Sequence, residues 1–119
     1  MYKSMDVYDD KPHEECGVFG IFDRDLSAVH ETYYGIFALQ HRGQESAGIT
    51  VSDGKTMETF RGMGLVTEAF HNLPEKEGHI GIGHVRYSTT GSSIPVNVQP
   101  LQADSIDGPM ALAHNGNLV

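Results

Sequence analysis

The chain has 119 residues, room for one small domain, and its eight basic and sixteen acidic residues give a formal charge of −8. Hydrophobic residues at 39% and charged residues at 20% suit a globular chain rather than a disordered one, and no run approaches a membrane span. No Lys/Arg cluster is present to neutralise a phosphate backbone, so nucleic acid is not an expected partner, and the single cysteine excludes an internal disulfide or a Cys-rich metal site.

Residues 1–15, MYKSMDVYDDKPHEE, are polar and acidic, with Pro12 breaking any regular element. They lack the basic start and apolar run of a secretory signal, so they read as a leader or tail on a cytoplasmic protein. Next comes CGVFGIF, Cys16 to Phe22, whose apolar β-formers between glycines predict a buried strand approached closely by another backbone. A helix is expected from Ser27, whose hydroxyl can cap the first turn. Val29, Tyr33, Ile36 and Phe37 form its apolar stripe, and it stops before Gly43.

Ala47 to Val51 and Met57 to Arg61 predict two antiparallel strands, with Asp53-Gly54 at the centre of a tight hairpin turn. Thr67 to Asn72 predicts a short helix stopped by Pro74, and Ile80 to Val85 a glycine-spaced strand. A loop from about Thr90 to Pro100 leads to a last strand, Met110 to His114. This order points to an α+β layered fold with antiparallel pairing.

Cys16 stands between a dispensable polar leader and a buried strand, where cleavage makes its own amine the chain terminus. An α-amino group, with a pKa of about 7.7–8.0, can take a thiol proton and return it to a leaving group. The plain alternative is a small buried hydrophobe. In HVRYSTTG, the planar fork of Arg86 suits a bidentate grip on an amino acid's carboxylate, with hydroxyls from Tyr87, Ser88 and Thr89 beside it. A surface arginine with a structural carboxylate partner is the bland reading.

Asn115 and Gly116 offer a side-chain amide and an unencumbered backbone N–H to a developing oxyanion, although Asn-Gly is equally a tight-turn dipeptide. Arg42, Gly43 and Gln44 make a polar turn where backbone groups can meet a ligand, or an ordinary helix end. The seven histidines show no HxH or HxxxH spacing, so no metal site is expected in this chain.

Taken together, CGVFG at Cys16, LQHRGQESAGI at Leu39 to Ile49, GHVRYSTTG at Gly83 to Gly91 and HNGNLV at His114 to Val119 resemble the glutamine phosphoribosylpyrophosphate amidotransferases of purine synthesis, in their order and spacing as well as their words. Related sugar-aminating and asparagine synthases share the initial CG and a later HNG, but QHRGQESAGI is similar to the purine family in particular. The Glu-Glu before Cys16 resembles the propeptide of the Bacillus-like form. The resemblance implies a propeptide over 1–15 and part of a class II glutaminase domain over 16–119. The implied fold is the first half of the N-terminal-nucleophile hydrolase sandwich, a four-layer αββα arrangement with antiparallel sheets.

It further implies that Cys16 attacks the glutamine amide while Asn115 and Gly116 hold the oxyanion. Arg86, with Thr89 in the same loop, would bind the α-carboxylate, and Arg42 and Gly43 would line the nucleophile's pocket. The phosphoribosyltransferase domain that uses phosphoribosyl pyrophosphate, its Mg²⁺, a 4Fe–4S cluster and a homotetrameric assembly all belong, by resemblance, to sequence beyond this chain. A half-sandwich exposes a sheet face, so the chain by itself is expected to be marginal and to turn over little or no glutamine. Two other readings stay open: a non-catalytic fragment that binds a partner through its open edge, and a cysteine hydrolase using His84 or His114 as base with the leader attached.

Overall fold

The structure, a computed structural model, describes residues 16–40, 44–87 and 97–114. β1 (Gly17–Phe22) and α1 (Ala28–Leu39) come first, then a hairpin of β2 (Gln44–Ser52) and β3 (Met57–Met63). A single turn, α2 (Val66–Ala69), precedes β4 (Ile80–Tyr87), and a second hairpin of β5 (Leu101–Ser105) and β6 (Gly108–Leu112) closes the described chain. The first four strands make one antiparallel sheet in the order β1-β4-β2-β3, and β5 pairs only with β6.

Strand alternation divides this sheet into two unlike faces. Gly81, Gly83, Val85 and Tyr87 of β4 turn toward α1, with Phe19 of β1 and Ala47, Ile49 and Val51 of β2 beside them. A Cβ on Gly81 would run into Thr32, and one on Gly83 into Ile36, so these two glycines let the helix settle directly on the strand. Ile36, Ile49, Val29, Val51 and Val85 are fully buried between the layers. Each such side chain contributes about 1.5–3 kcal/mol.

That close approach rotates α1 relative to the predicted stripe. Val29 and Ile36 are buried as expected, but Phe37 is 45% exposed and the buried line runs through Ala28, Thr32 and Ile36. The flat glycine strip accepts small side chains, and the large rings are displaced to the helix flank. Tyr33 stacks there on Phe37 and meets Phe70 edge-on, each at 6.3 Å between centroids.

Three local expectations are corrected. The Ser27 hydroxyl makes no helix cap and instead donates to the Asp25 carbonyl, while the Ala28 N–H donates to the Gly78 carbonyl at 3.1 Å. The β2–β3 connection is a four-residue loop, 53–56, rather than a two-residue turn. Asp53 closes it by accepting from the Lys55 and Thr56 amides at 2.8 and 2.7 Å, contacts that hold its carboxyl down at about 2. Finally, β5 was not foreseen, and the last strand is Gly108–Leu112 instead of Met110 to His114. Every residue of LQADS in β5 is exposed, so it carries no buried alternation to read.

Candidate active site

The sheet face turned away from α1 carries the candidate site residues, in two neighbouring cross-strand rows. Arg86, Ser46 and Met63 form one row across β4, β2 and β3. Gly17 pairs with Val85, so Cys16, just before Gly17, lies at the same end of the sheet as Arg86, just after Val85. Val18, His84, Gly48 and Arg61 make the second row.

In this antiparallel arrangement β1 begins, β4 ends and β2 begins at one edge of the sheet. Three of the four motif blocks therefore lead to the same place. The fourth is tied to it by His84, whose Nε2–H donates to the His114 carbonyl at 3.0 Å.

Arg86 is half-buried, and its Nε is enclosed without a hydrogen-bond partner. Both ion pairs among the described residues belong to Lys76, with Asp53 and Glu58, so Arg86 has no carboxylate there. A guanidinium left this way on a sheet face is suited to an anion from outside. Ser46, its cross-strand neighbour, is 1% exposed and its Oγ is likewise unpaired. Cys16 is a free, half-exposed thiol.

Tyr87 does not join them. Being next to Arg86 in one strand, it points to the opposite face, is 9% exposed and donates its hydroxyl to the Leu39 carbonyl at 3.1 Å. The expectation that its hydroxyl contacts a ligand beside Arg86 is thus corrected. Arg42, Gly43, Thr89, Asn115 and Gly116 lie outside the described residues.

His84 is wholly buried, and burial pushes its pKa down to about 4, helped by the charges of His114 and Arg86 and opposed by the His114 carbonyl. It is neutral at pH 7. Its partner is a carbonyl, which can only accept, so the proton sits on Nε2, and Nδ1 is buried without a partner. No group of three His, Cys, Asp or Glu among the described residues is placed to hold a metal ion. No described helix is long and apolar enough to cross a membrane.

A segment of backbone lies across the second row. A Cβ on Gly48 would strike the Gln99 carbonyl, and Arg61 donates to the Val98 carbonyl at 2.9 Å. Sequence reasoning missed Ser46 and Gln99. Ser46 was legible as a small polar residue alternating with the apolar Ala47 and Ile49, whereas Gln99 acts only through a tertiary contact.

A helix laid on an antiparallel sheet, with a cysteine leading the strand at its edge, places the chain in the N-terminal-nucleophile hydrolase fold class, and comparison with known proteins narrows this. No family model matches the chain. It is 54% identical over 112 residues to the amidophosphoribosyltransferase of Synechocystis, covering 92% of this chain and 23% of that protein. With the Methanocaldococcus jannaschii amidophosphoribosyltransferase it is 53% identical over 107 residues, 87% of this chain and 23% of the relative. Amidophosphoribosyltransferase 2, chloroplastic, of Arabidopsis thaliana is 55% identical over 117 residues, 96% and 21% respectively.

Two solved structures agree. An allosteric regulatory enzyme of purine biosynthesis superposes with a TM-score of 0.71 at 47% identity, over 79% of this chain and 21% of that one. The glutamine phosphoribosylpyrophosphate amidotransferase of B. subtilis, solved with ADP and GMP, gives 0.68 at 45%, over 89% and 22%. Over nearly its whole length, then, this chain is amidophosphoribosyltransferase-family sequence. It spans 21–23% of the length of these three curated relatives.

Proposed function

We propose that this chain is the glutamine-handling part of an amidophosphoribosyltransferase, with residues 1–15 a leader removed to free the amine of Cys16. The observation that carries the reading is Arg86 at the end of β4, beside the start of the strand that Cys16 precedes, with no carboxylate partner among the described residues. A nucleophile and an anion grip at one end of the sheet fit a substrate with a carboxylate at one end and a reactive carbonyl at the other. Glutamine is such a molecule.

In the reaction, the freed amine takes the Cys16 thiol proton and the sulfur attacks the side-chain carbonyl carbon of glutamine. Asn115 and Gly116 donate to the oxyanion, a contribution on the order of a hundredfold or more for each donor. Collapse of the tetrahedral species breaks the C–N bond, and the ammonium returns its proton to the departing ammonia. Water then cleaves the thioester, releasing glutamate and regenerating the thiol. Arg86, with Thr89, holds the α-carboxylate, and Arg42 and Gly43 border the nucleophile.

In the whole protein, by the same resemblance, the ammonia serves a phosphoribosyltransferase domain that displaces pyrophosphate from phosphoribosyl pyrophosphate and yields 5-phosphoribosylamine. The low pKa of His84 counts against the rival in which that side chain is the base, since a group titrating near 4 binds few protons at neutral pH. Glutamate release from glutamine by the whole protein carrying this sequence is the test. Activity should require both loss of residues 1–15 and Cys16, and turnover that survives Cys16→Ala contradicts the reading.

A further inference from the structure

His114 is the last described residue before Asn115, and its backbone is held at both ends. Its N–H donates to Gln99 Oε1 at 2.8 Å, and its carbonyl accepts from His84 Nε2–H at 3.0 Å. The two holding side chains are themselves fixed. His84 is wholly buried in the middle of β4, and Gln99, 5% exposed, belongs to the segment that crosses Gly48 and takes the Arg61 hydrogen bond at Val98.

The histidine is a costly choice for packing alone. Its Nδ1 is buried with no partner, a desolvation cost that an apolar side chain would not incur. Its neutral state leaves Nε2–H as its one donor, and that donor is spent on the His114 carbonyl.

We propose that His84 and Gln99 are positioning residues that clamp the His114 peptide and thereby aim Asn115 and Gly116 at the oxyanion. The proposal rests on the glutaminase reading for the role of Asn115 and Gly116, but the clamp itself is a property of described residues. Neither clamp residue touches substrate. Loosening the clamp frees the His114 peptide, which under the glutaminase reading leads into the oxyanion donors, so the expected effect falls on the chemical step more than on glutamine binding.

The test uses the whole protein carrying this sequence, with parent, His84→Leu, His84→Gln and Gln99→Leu forms compared. Glutamine Nε2 reaches about as far from Cα as histidine Nε2, so His84→Gln keeps a donor where His84→Leu removes it. The two leucine variants should lower kcat for glutamate release on the order of 10- to 100-fold, with KM for glutamine changed less than about threefold. His84→Gln should recover most of kcat. Amide exchange at residues 114–116 should quicken in the leucine variants and return toward the parent rate in His84→Gln.

Unchanged kcat in both leucine variants, a rise in KM that accounts for the loss, or a His84→Gln form as impaired as His84→Leu overturns the proposal. If the parent shows no Cys16-dependent glutaminase activity, the functional reading fails on its own. Exchange at residues 114–116 then decides the clamp separately: rates indifferent to His84 and Gln99 overturn it, and quickened rates in both leucine variants uphold it.

Discussion

Arg86 and Tyr87 are adjacent in sequence and sit in opposite environments. One turns to the face away from α1 with no carboxylate partner among the described residues, and the other packs a ring under α1 and bonds the Leu39 carbonyl. The motif HVRY made Arg86 legible as an anion grip, and period-two alternation would have removed Tyr87 from the same list. Arg86→Lys keeps the charge but loses the planar two-pronged fork. If the guanidinium binds the substrate carboxylate through charge-assisted hydrogen bonds of about 1.5–3 kcal/mol, KM for glutamine should rise roughly 10- to 100-fold with kcat much less affected. Steady-state kinetics of the whole protein checks this, and an unchanged KM would remove Arg86 from the site. His84 was legible only as a possible base, since nothing local marks a side chain that reaches a carbonyl thirty residues away.

Among the elements, α1, the β2–β3 hairpin and β4 were readable from apolar pattern and turn signals, whereas β1, expected to be buried, is an edge strand with alternating exposure. The failures have tertiary causes. The Ser27 hydroxyl turns back to the Asp25 carbonyl, the α1 stripe turns to fit the glycines of β4, and the β5–β6 hairpin shows no buried face at all. Gly48 is the element-scale contact most sensitive to change, because the chain at Gln99 crosses β2 directly over it. Gly48→Ala forces that crossing outward, an overpacking cost of about 1–3 kcal/mol. Denaturant unfolding should register that loss, and amide exchange around Gln99 and His114 should rise with it. A neutral substitution would mean the segment does not rest on β2.

At the scale of the whole molecule, one sheet face is covered by α1 while the other exposes Val18, Phe22 and Ile80 at 43%, 65% and 47%. These residues lie on β1 and at the start of β4, beside the part of that face that the chain at Gln99 crosses over Gly48. Stability should also carry the signature of His84. Its folded pKa of about 4 lies below the ordinary 6.5, so the unfolded chain binds more protons between those values. The stabilisation is complete above pH 6.5 and is lost as pH falls toward 4, with a slope of at most about 1.4 kcal/mol per pH unit from this group. Unfolding measured across that window should steepen accordingly in the parent and less so in His84→Gln, while the imidazole resonances of His84 should titrate near pH 4. Titration near 6.5 would contradict its burial.

The account depends on a thiol that attacks glutamine with its own residue's amine as base. Intact mass of the whole protein after incubation with a glutamine analogue bearing an electrophile at the amide position tests this directly. The prediction is a single adduct on a chain that begins at Cys16, absent from Cys16→Ala and from molecules retaining residues 1–15. An adduct that forms equally well with the leader in place, or on any residue other than Cys16, would contradict it.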